Sequence, residues 1–158
     1  NNVSDDVISK ILKTGNSGGF RIRGKTKPFK INYCALCSSL ADQDWPDSID
    51  IHNGIFTYFG DNRKPGPILN TKNKGNLILE ETFIFQKDRK NTPPFFIFTR
   101  EGTGRNVKFR GLAVPGHPRI NIADSLVAQW NIKDGKRYQN YKAIFSILSV
   151  NEIKRNWS

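Results

Sequence analysis

Short apolar runs separated by turn-forming residues recur along this chain. Runs rich in β-branched and aromatic residues predict strands at 20–23, 28–31, 33–40, 55–59, 95–100, 107–114, 126–132 and 143–150. Helical spacing of apolar residues predicts a helix over 3–12 and a second over 76–84, capped by Asn76. Residues 133–141 are expected to be the connection between the last two strands, and residues 152–158 to begin a further helix.

These elements predict an α+β, mainly β fold. Strand–helix–strand alternation is mostly missing from the pattern, which disfavours a parallel sheet. We therefore expect a curled antiparallel sheet or a small β-barrel with one or two flanking helices. At 158 residues the chain is expected to be a single domain, 1–158. It contains no Met, and we expect it to be a domain excised from a longer protein.

Charge adds a partner to this picture. Lys and Arg total 25 against 14 Asp and Glu, which gives a net charge of +11. Such a surplus on one small domain favours a polyanion, and nucleic acid first. No apolar run approaches the length of a membrane span, and no signal peptide is visible, so a cytoplasmic location is expected.

Catalytic and metal-binding patterns are sparse. Cys34 and Cys37 form a lone Cys-x-x-Cys, and the only histidines are His52 and His117, so a zinc site is disfavoured and no metal or cofactor is expected. No Gly-x-Ser-x-Gly or Walker-type segment occurs. Asp47 combined with acidic and lysine residues near 88–90 or 152–154 resembles a metal-nuclease pattern, which is common by chance in a charged chain.

The segment 45–66 is the strongest candidate for recognition chemistry. It combines an acid, aromatic rings, a glycine turn and cations, which suit a pocket for a base taken out of a duplex. Tyr58 offers a stacking face and Asp47 can accept a hydrogen bond from the cytosine exocyclic amine. The predicted base pocket consists of Trp45, Asp47, Tyr58, Phe59 and Gly60. The alternative is ordinary packing, since a strand buries one face and at least one of Tyr58 and Phe59 should be core.

Basic residues flank this segment and predict contacts with phosphates. The loop 60–74 holds four cations, and the predicted hairpin at 20–31 carries more on its outer face. The expected DNA-binding residues are Arg21, Arg23, Lys25, Lys27, Asn62, Arg63, Lys64, Lys72, Lys74, Arg105 and Lys108.

Several segments resemble, in order, the SRA-like reader domain of the MspJI and AspBHI group of modification-dependent restriction endonucleases. They lie at 47–50, 54–66, 74–79, 94–98, 109–112 and 135–145, and include Tyr-Phe-Gly-Asp-Asn at 58–62 and Gly-Asn-Leu at 75–77. The resemblance implies an SRA-like (PUA-like) barrel that flips 5-methylcytosine, or 5-hydroxymethylcytosine, from duplex DNA. It implies Tyr58 as the stacking residue and Asp47 as the pocket acid, with Asp50 as the fallback.

The resemblance also implies a parent restriction enzyme, bacterial or archaeal, whose nuclease domain follows the reader. This fragment itself is therefore not expected to be an enzyme. Three alternatives stay open: a small metal-dependent nuclease, a general single-strand DNA or RNA binder that uses aromatic residues as stacking platforms, and a reader of another DNA modification.

Overall fold

The computed structural model of the protein describes residues 19–85, 92–100 and 107–148. These residues form the strands β1 (Phe20–Thr26), β2 (Phe29–Ser38), β3 (Ser48–Asp50), β4 (Ile55–Phe59), β5 (Phe95–Arg100), β6 (Val107–Pro115), β7 (Leu126–Lys133) and β8 (Lys136–Ile147). A short helix, α1 (Gly75–Glu80), continues into a π-helical turn at Glu81–Phe85, and a 3₁₀ turn covers Ile122–Asp124.

The strands form one curled sheet in the order β1-β2-β5-β6-β8-β4-β3, with β7 also paired to β8. Neighbouring strands are antiparallel except β2 and β5, which run parallel from Cys34↔Phe95 to Ser38↔Thr99. β1 and β4 are far apart in this order, yet the rings of Phe20 and Tyr58 lie 6.0 Å apart. The sheet therefore curls strongly enough to bring its distant strands together, although the strand order stays open.

The main core lies inside this curl and is largely aromatic. Phe56, Phe95 and Phe145 are fully buried there. The Phe145 ring on β8 packs against Phe56 on β4 and against Phe95 on β5. Helix α1 covers the same core with Ile78 and Leu79, both fully buried. Burial of each such side chain contributes about 1.5–3 kcal/mol, so this core is the main source of stability for the curled sheet.

Most predicted strands are confirmed, and the predicted run 55–59 coincides with β4. The fold class is confirmed as mainly β, with a curled sheet and one short helix in the described part of the chain. The parallel pair β2–β5 makes the sheet mixed, because the chain from β2 passes through β3, β4 and α1 before it returns as β5. The predicted helix at 3–12, the tail at 152–158 and Arg105 lie outside the described residues.

Two local predictions were wrong. Asn76 does not cap the helix: the cap position is Lys74, and Asn76 is fully buried in the first turn of α1. The predicted connection 133–141 is mostly strand, because Asp134 and Gly135 form a two-residue turn with φ of 53° and 75°. Positive φ at both positions is the type I′ geometry that matches the twist of a hairpin, and β8 therefore starts at Lys136.

Candidate nucleic-acid interface

Asp47 is a buried acid between the ends of β2 and β4. Its carboxylate accepts a hydrogen bond from the Ser38 hydroxyl at 2.6 Å and another from the Phe59 backbone N–H at 2.7 Å. Burial raises the pKa of Asp47, while these two bonds and the charge of Arg63 lower it less. A carboxylate has about four lone-pair sites, and these two bonds occupy one on each oxygen. Asp47 therefore retains acceptor capacity in a desolvated position.

Asp50, the alternative acid, lies in a different environment. It is exposed at the end of β3, and its carboxylate accepts hydrogen bonds from the backbone and side-chain nitrogens of Asn53 at 3.1 and 2.8 Å. These two bonds from Asn53 lower its pKa. Asp50 thus closes a local turn at the surface, whereas Asp47 is the acid that lies beside the aromatic residues.

Tyr58 and Phe59 lie on opposite faces of β4, and both are buried. Tyr58 packs in the main core against Phe20 and Phe56. Burial, and to a smaller extent the charge of Asp47, raise the pKa of Tyr58. Phe59 instead packs against Trp45, with ring centroids 5.4 Å apart.

A second aromatic cluster thus forms on the other face of β4 from Trp45, Phe59 and Tyr138. The Trp45 indole N–H donates to the Tyr138 hydroxyl at 3.0 Å. Trp45 and Tyr58 are each only 1% exposed. Neither ring presents an open face, so a base could stack on one of them only after the covering side chains separate.

Gly60 follows β4 and meets a buried asparagine pair. A Cβ at Gly60 would lie 1.7 Å from Oδ1 of Asn76 and 2.9 Å from Oδ1 of Asn140, so no larger residue fits without displacing them. Asn140 donates to the Gly60 carbonyl at 3.0 Å and accepts from the Asn76 amide at 2.9 Å. The glycine is therefore required for the close approach of the loop 60–74 to α1 and β8.

The loop 60–74 is fixed to the body of the protein by side chains of its own. Asn62 donates from its amide to the carbonyls of Gly66 and Gln139, at 3.1 and 2.7 Å. The Asp61 carboxylate accepts from the backbone N–H groups of Gly75 and Asn76, both at 2.9 Å. Asp61 thus satisfies the free amides at the start of α1, the role normally played by an N-cap side chain.

The predicted DNA-binding residues differ in exposure. Asn62 is buried with both amide protons engaged as above, and Arg63 forms a salt bridge to Asp42. Arg21 is half-buried. The remaining described cations of the set are exposed: Arg23, Lys25 and Lys27 on and after β1, Lys64, Lys72 and Lys74 in the loop, and Lys108 on β6.

Some residues of this region were not identified from the sequence. Tyr138 and Asn140 contact the predicted pocket segment from a distant part of the chain, and Ser38 contacts it from the end of the preceding strand β2. The one available signal was Asn140, which lies between Tyr138 and Tyr141 in a segment predicted as a connection. No group of three or more metal-ligating side chains occurs in the described ranges, where Cys34 and Cys37 are free thiols. No helix in those ranges has the length and apolar character needed to cross a membrane.

A curled mixed sheet with a buried acid beside aromatic residues defines an SRA-like recognition domain. The chain matches, over residues 1–158, the family described as restriction endonuclease AspBHI N-terminal, and it belongs to that family. It therefore corresponds to a DNA recognition domain and not to a catalytic domain. A search of curated proteins found no match.

Solved structures agree with this assignment. The chain is 43% identical to the DNA recognition domain of the cytosine modification-dependent restriction endonuclease LpnPI, covering 93% of this chain and 68% of that one, with a TM-score of 0.82. It is 41% identical to the DNA modification-dependent restriction endonuclease AspBHI, covering 95% of this chain and 39% of that one, with a TM-score of 0.84. MspJI, solved with a 27-mer oligonucleotide, shares the fold at 22% identity and a TM-score of 0.58, over 87% of this chain and 33% of its own.

Proposed function

We propose that this domain recognises 5-methylcytosine in duplex DNA by flipping the base, as the target-recognition module of a modification-dependent restriction endonuclease. 5-Hydroxymethylcytosine is the second candidate mark. The observation that carries the proposal is Asp47, a desolvated carboxylate with unused acceptor capacity beside buried aromatic rings. Such a group suits an exocyclic amine, and family membership supports DNA as the ligand.

The energies involved are compatible with this mechanism. Extrusion of a base costs a few kcal/mol. A hydrogen bond to a charged group contributes about 1.5–3 kcal/mol, and stacking on an aromatic ring contributes about 1–3 kcal/mol. The hydrogen bond to Asp47 and stacking on one ring together are therefore sufficient to offset the free-energy cost of extrusion. Either contact alone is barely sufficient.

Because the ring of Tyr58 is covered, the proposal includes a movement of the side chains around it when the base enters. Tyr58 stays the proposed stacking residue, and Gly60 shapes the turn. Trp45 and Phe59, which the sequence placed in the same pocket, lie on the opposite face of β4 and are not proposed to contact the same base. Arg23, Lys25, Lys27, Lys64, Lys72, Lys74 and Lys108 are the proposed phosphate contacts. We also propose that the domain is a single unit, that a nuclease domain follows it in the parent chain, and that it acts in the cytoplasm.

The test is a binding titration at fixed salt with one duplex carrying cytosine, 5-methylcytosine or 5-hydroxymethylcytosine, and with the matching single strand. We expect the wild-type domain to prefer a modified duplex. Asp47→Asn should reduce that preference about tenfold or more, because the variant has one acceptor oxygen in place of two and no negative charge to hold the amine of the flipped base. Asp50→Asn is the matched control and should retain the preference.

Each outcome bears on a different part of the proposal. Equal affinity for all three duplexes would exclude a cytosine-modification reader, and tighter binding to the single strand would favour the general single-strand binder. Loss of preference in Asp50→Asn but not in Asp47→Asn would show that Asp50, and not Asp47, is the pocket acid. A 2-aminopurine placed next to the modified base should gain fluorescence on binding if the base leaves the stack.

A further inference from the structure

The hairpin formed by β7 and β8 has a distal part that extends beyond the rest of the sheet. The two strands pair from Leu126↔Ala143 out to Lys133↔Lys136. β4 pairs with β8 only between Lys142 and Ser146, and β6 only between Phe145 and Ile147. Among the described strands, the distal part is therefore a two-stranded ribbon.

The two faces of this ribbon have different environments. One face carries Tyr138 and Asn140, which are buried against the second aromatic cluster and the loop 60–74. On the other face, Trp130 is 54% exposed and Ile132 is 63% exposed. We refer to Trp130, Ile132, Arg137 and Gln139, which form the cross-strand pairs Trp130↔Gln139 and Ile132↔Arg137 on that side, as the Trp130 face.

The Trp130 face is amphipathic in a specific way. The Arg137 guanidinium lies over the Trp130 ring, 4.5 Å from its centroid, so the indole is oriented while the cation remains exposed. Lys133 and Lys136 lie at the tip on either side of the turn, where Asp134 is the only acid between residues 126 and 147. The hairpin therefore presents an exposed indole under one cation and two further cations at its tip, whereas the other tryptophan in the described ranges is buried.

Duplex DNA fits this surface better than a protein partner does. A two-stranded β-ribbon has the width that the major groove admits. Lys is depleted at protein–protein interfaces, whereas cations beside a planar side chain suit phosphates and base edges. The amide of Gln139, opposite Trp130, adds a side chain that can hydrogen-bond a base edge.

We propose that the Trp130 face and the tip cations contact the duplex beside the recognised base, with Trp130 against the bases or sugars and Lys133, Lys136 and Arg137 on phosphates. This inference rests on the proposed function for its ligand. It adds a second contact surface on β7 and β8, separate from the acid and the rings around β4.

The experiment uses the same titration with two variants, Trp130→Ala and the triple change Lys133→Gln, Lys136→Gln and Arg137→Gln. Each should bind modified and unmodified duplexes about tenfold more weakly, with the preference between them unchanged. The triple variant should also lower the slope of log affinity against log salt by about 2–3. Ile122→Ala, at an 83% exposed apolar residue off the hairpin, and Arg119→Gln are the matched controls and should bind as wild type does.

Urea midpoints equal to that of the wild type would verify that the variants are folded. If both variants bind every duplex as tightly as the wild type, the inference is wrong, and the face is left for a protein partner. If the wild type binds duplex without preference for modification while the variants still weaken binding, the proposed mark recognition fails and the hairpin contact stands. If Asp47→Asn changes binding and the two hairpin variants do not, the proposed recognition of the modified base is supported and the proposed hairpin contact is wrong.

Discussion

At the scale of single residues, the position of Asp47 decides its chemistry. Asp50 carries the same kind of side chain at the surface, where it closes a turn and has a lowered pKa. Below the surface between β2 and β4, desolvation dominates and the pKa of Asp47 is raised. A perturbed acid beside aromatic residues is a probabilistic marker of a functional site, and in this domain it coincides with the acid that the sequence motif indicates.

The raised pKa has a consequence for stability that can be measured. Since the folded-state pKa of Asp47 lies above its unfolded value, its contribution to stability is full below the unfolded pKa and is lost as the pH rises through the folded pKa. Asp47→Asn should therefore gain stability relative to the wild type as the pH rises from 4 to 7. Urea unfolding at the two pH values measures this difference.

Asp50→Asn is the control of opposite sign. The pKa of Asp50 is lowered in the folded state. The contribution of Asp50 to stability is therefore present above its unfolded pKa and is lost as the pH falls through its folded pKa. This variant should lose stability relative to the wild type as the pH rises. A difference for Asp47→Asn that does not change with pH would show that burial does not perturb this acid.

At the scale of elements, one polar side chain joins three segments that are distant in sequence. Asn140 on β8 accepts from the Asn62 N–H at 3.2 Å and from the Asn76 amide at 2.9 Å, and donates to the Gly60 carbonyl. It thereby links β8, the loop 60–74 and helix α1. A fully satisfied buried network of this kind fixes a single loop conformation.

Removal of Asn140 should be strongly destabilising. Asn140→Ala leaves several buried groups without partners, each at about 1–3 kcal/mol, and we expect a total loss of about 2–4 kcal/mol in urea unfolding. Gln129→Ala is the matched control: Gln129 lies opposite Asn140 across the strands but is exposed, and its loss should change stability by less than about 0.5 kcal/mol. Equal effects for the two variants would mean that the network contributes nothing beyond the hairpin.

At the scale of the whole molecule, charge and shape act together. The net charge of +11 attracts a polyanion over long range, and this attraction is independent of sequence. In the proposed mechanism, discrimination comes from the short-range contacts of Asp47 and the rings near β4. Affinity and modification preference should therefore respond differently to salt and to substitution.

This separation predicts the behaviour of the loop cations. Lys64→Gln combined with Lys72→Gln, both exposed in the loop 60–74, should lower the salt slope of duplex binding by about 2 while the preference for modified DNA stays unchanged. Titrations at several salt concentrations with modified and unmodified duplexes provide both quantities, and Arg119→Gln is the control outside the proposed contacts. A change in preference without a change in slope would place these lysines at the base instead of the phosphates.

The local pattern of residues determined most of the strands. Dense β-branched and aromatic runs such as 55–59 and 95–100 match β4 and β5, because a short strand that is largely buried reads as a continuous apolar run. The two-residue turn at 134–135 was also present in the sequence as Asp-Gly, and it was obscured by the polar residues on either side. The assignment of Asn76 as a cap failed because Asp61, fifteen residues earlier, supplies that role through space.

The sequence by itself determined the strand content, the basic character and the set of chemical groups near 45–66. Only the tertiary structure decided that β2 and β5 are parallel, that Tyr58 and Trp45 lie in different clusters, and that Asn62 supports the loop from inside. Strand propensity and charge are local properties that neighbouring residues specify. Burial, hydrogen-bond partners and pKa depend on residues such as Tyr138 and Asn140, which only the tertiary fold brings into contact with the segment 45–66.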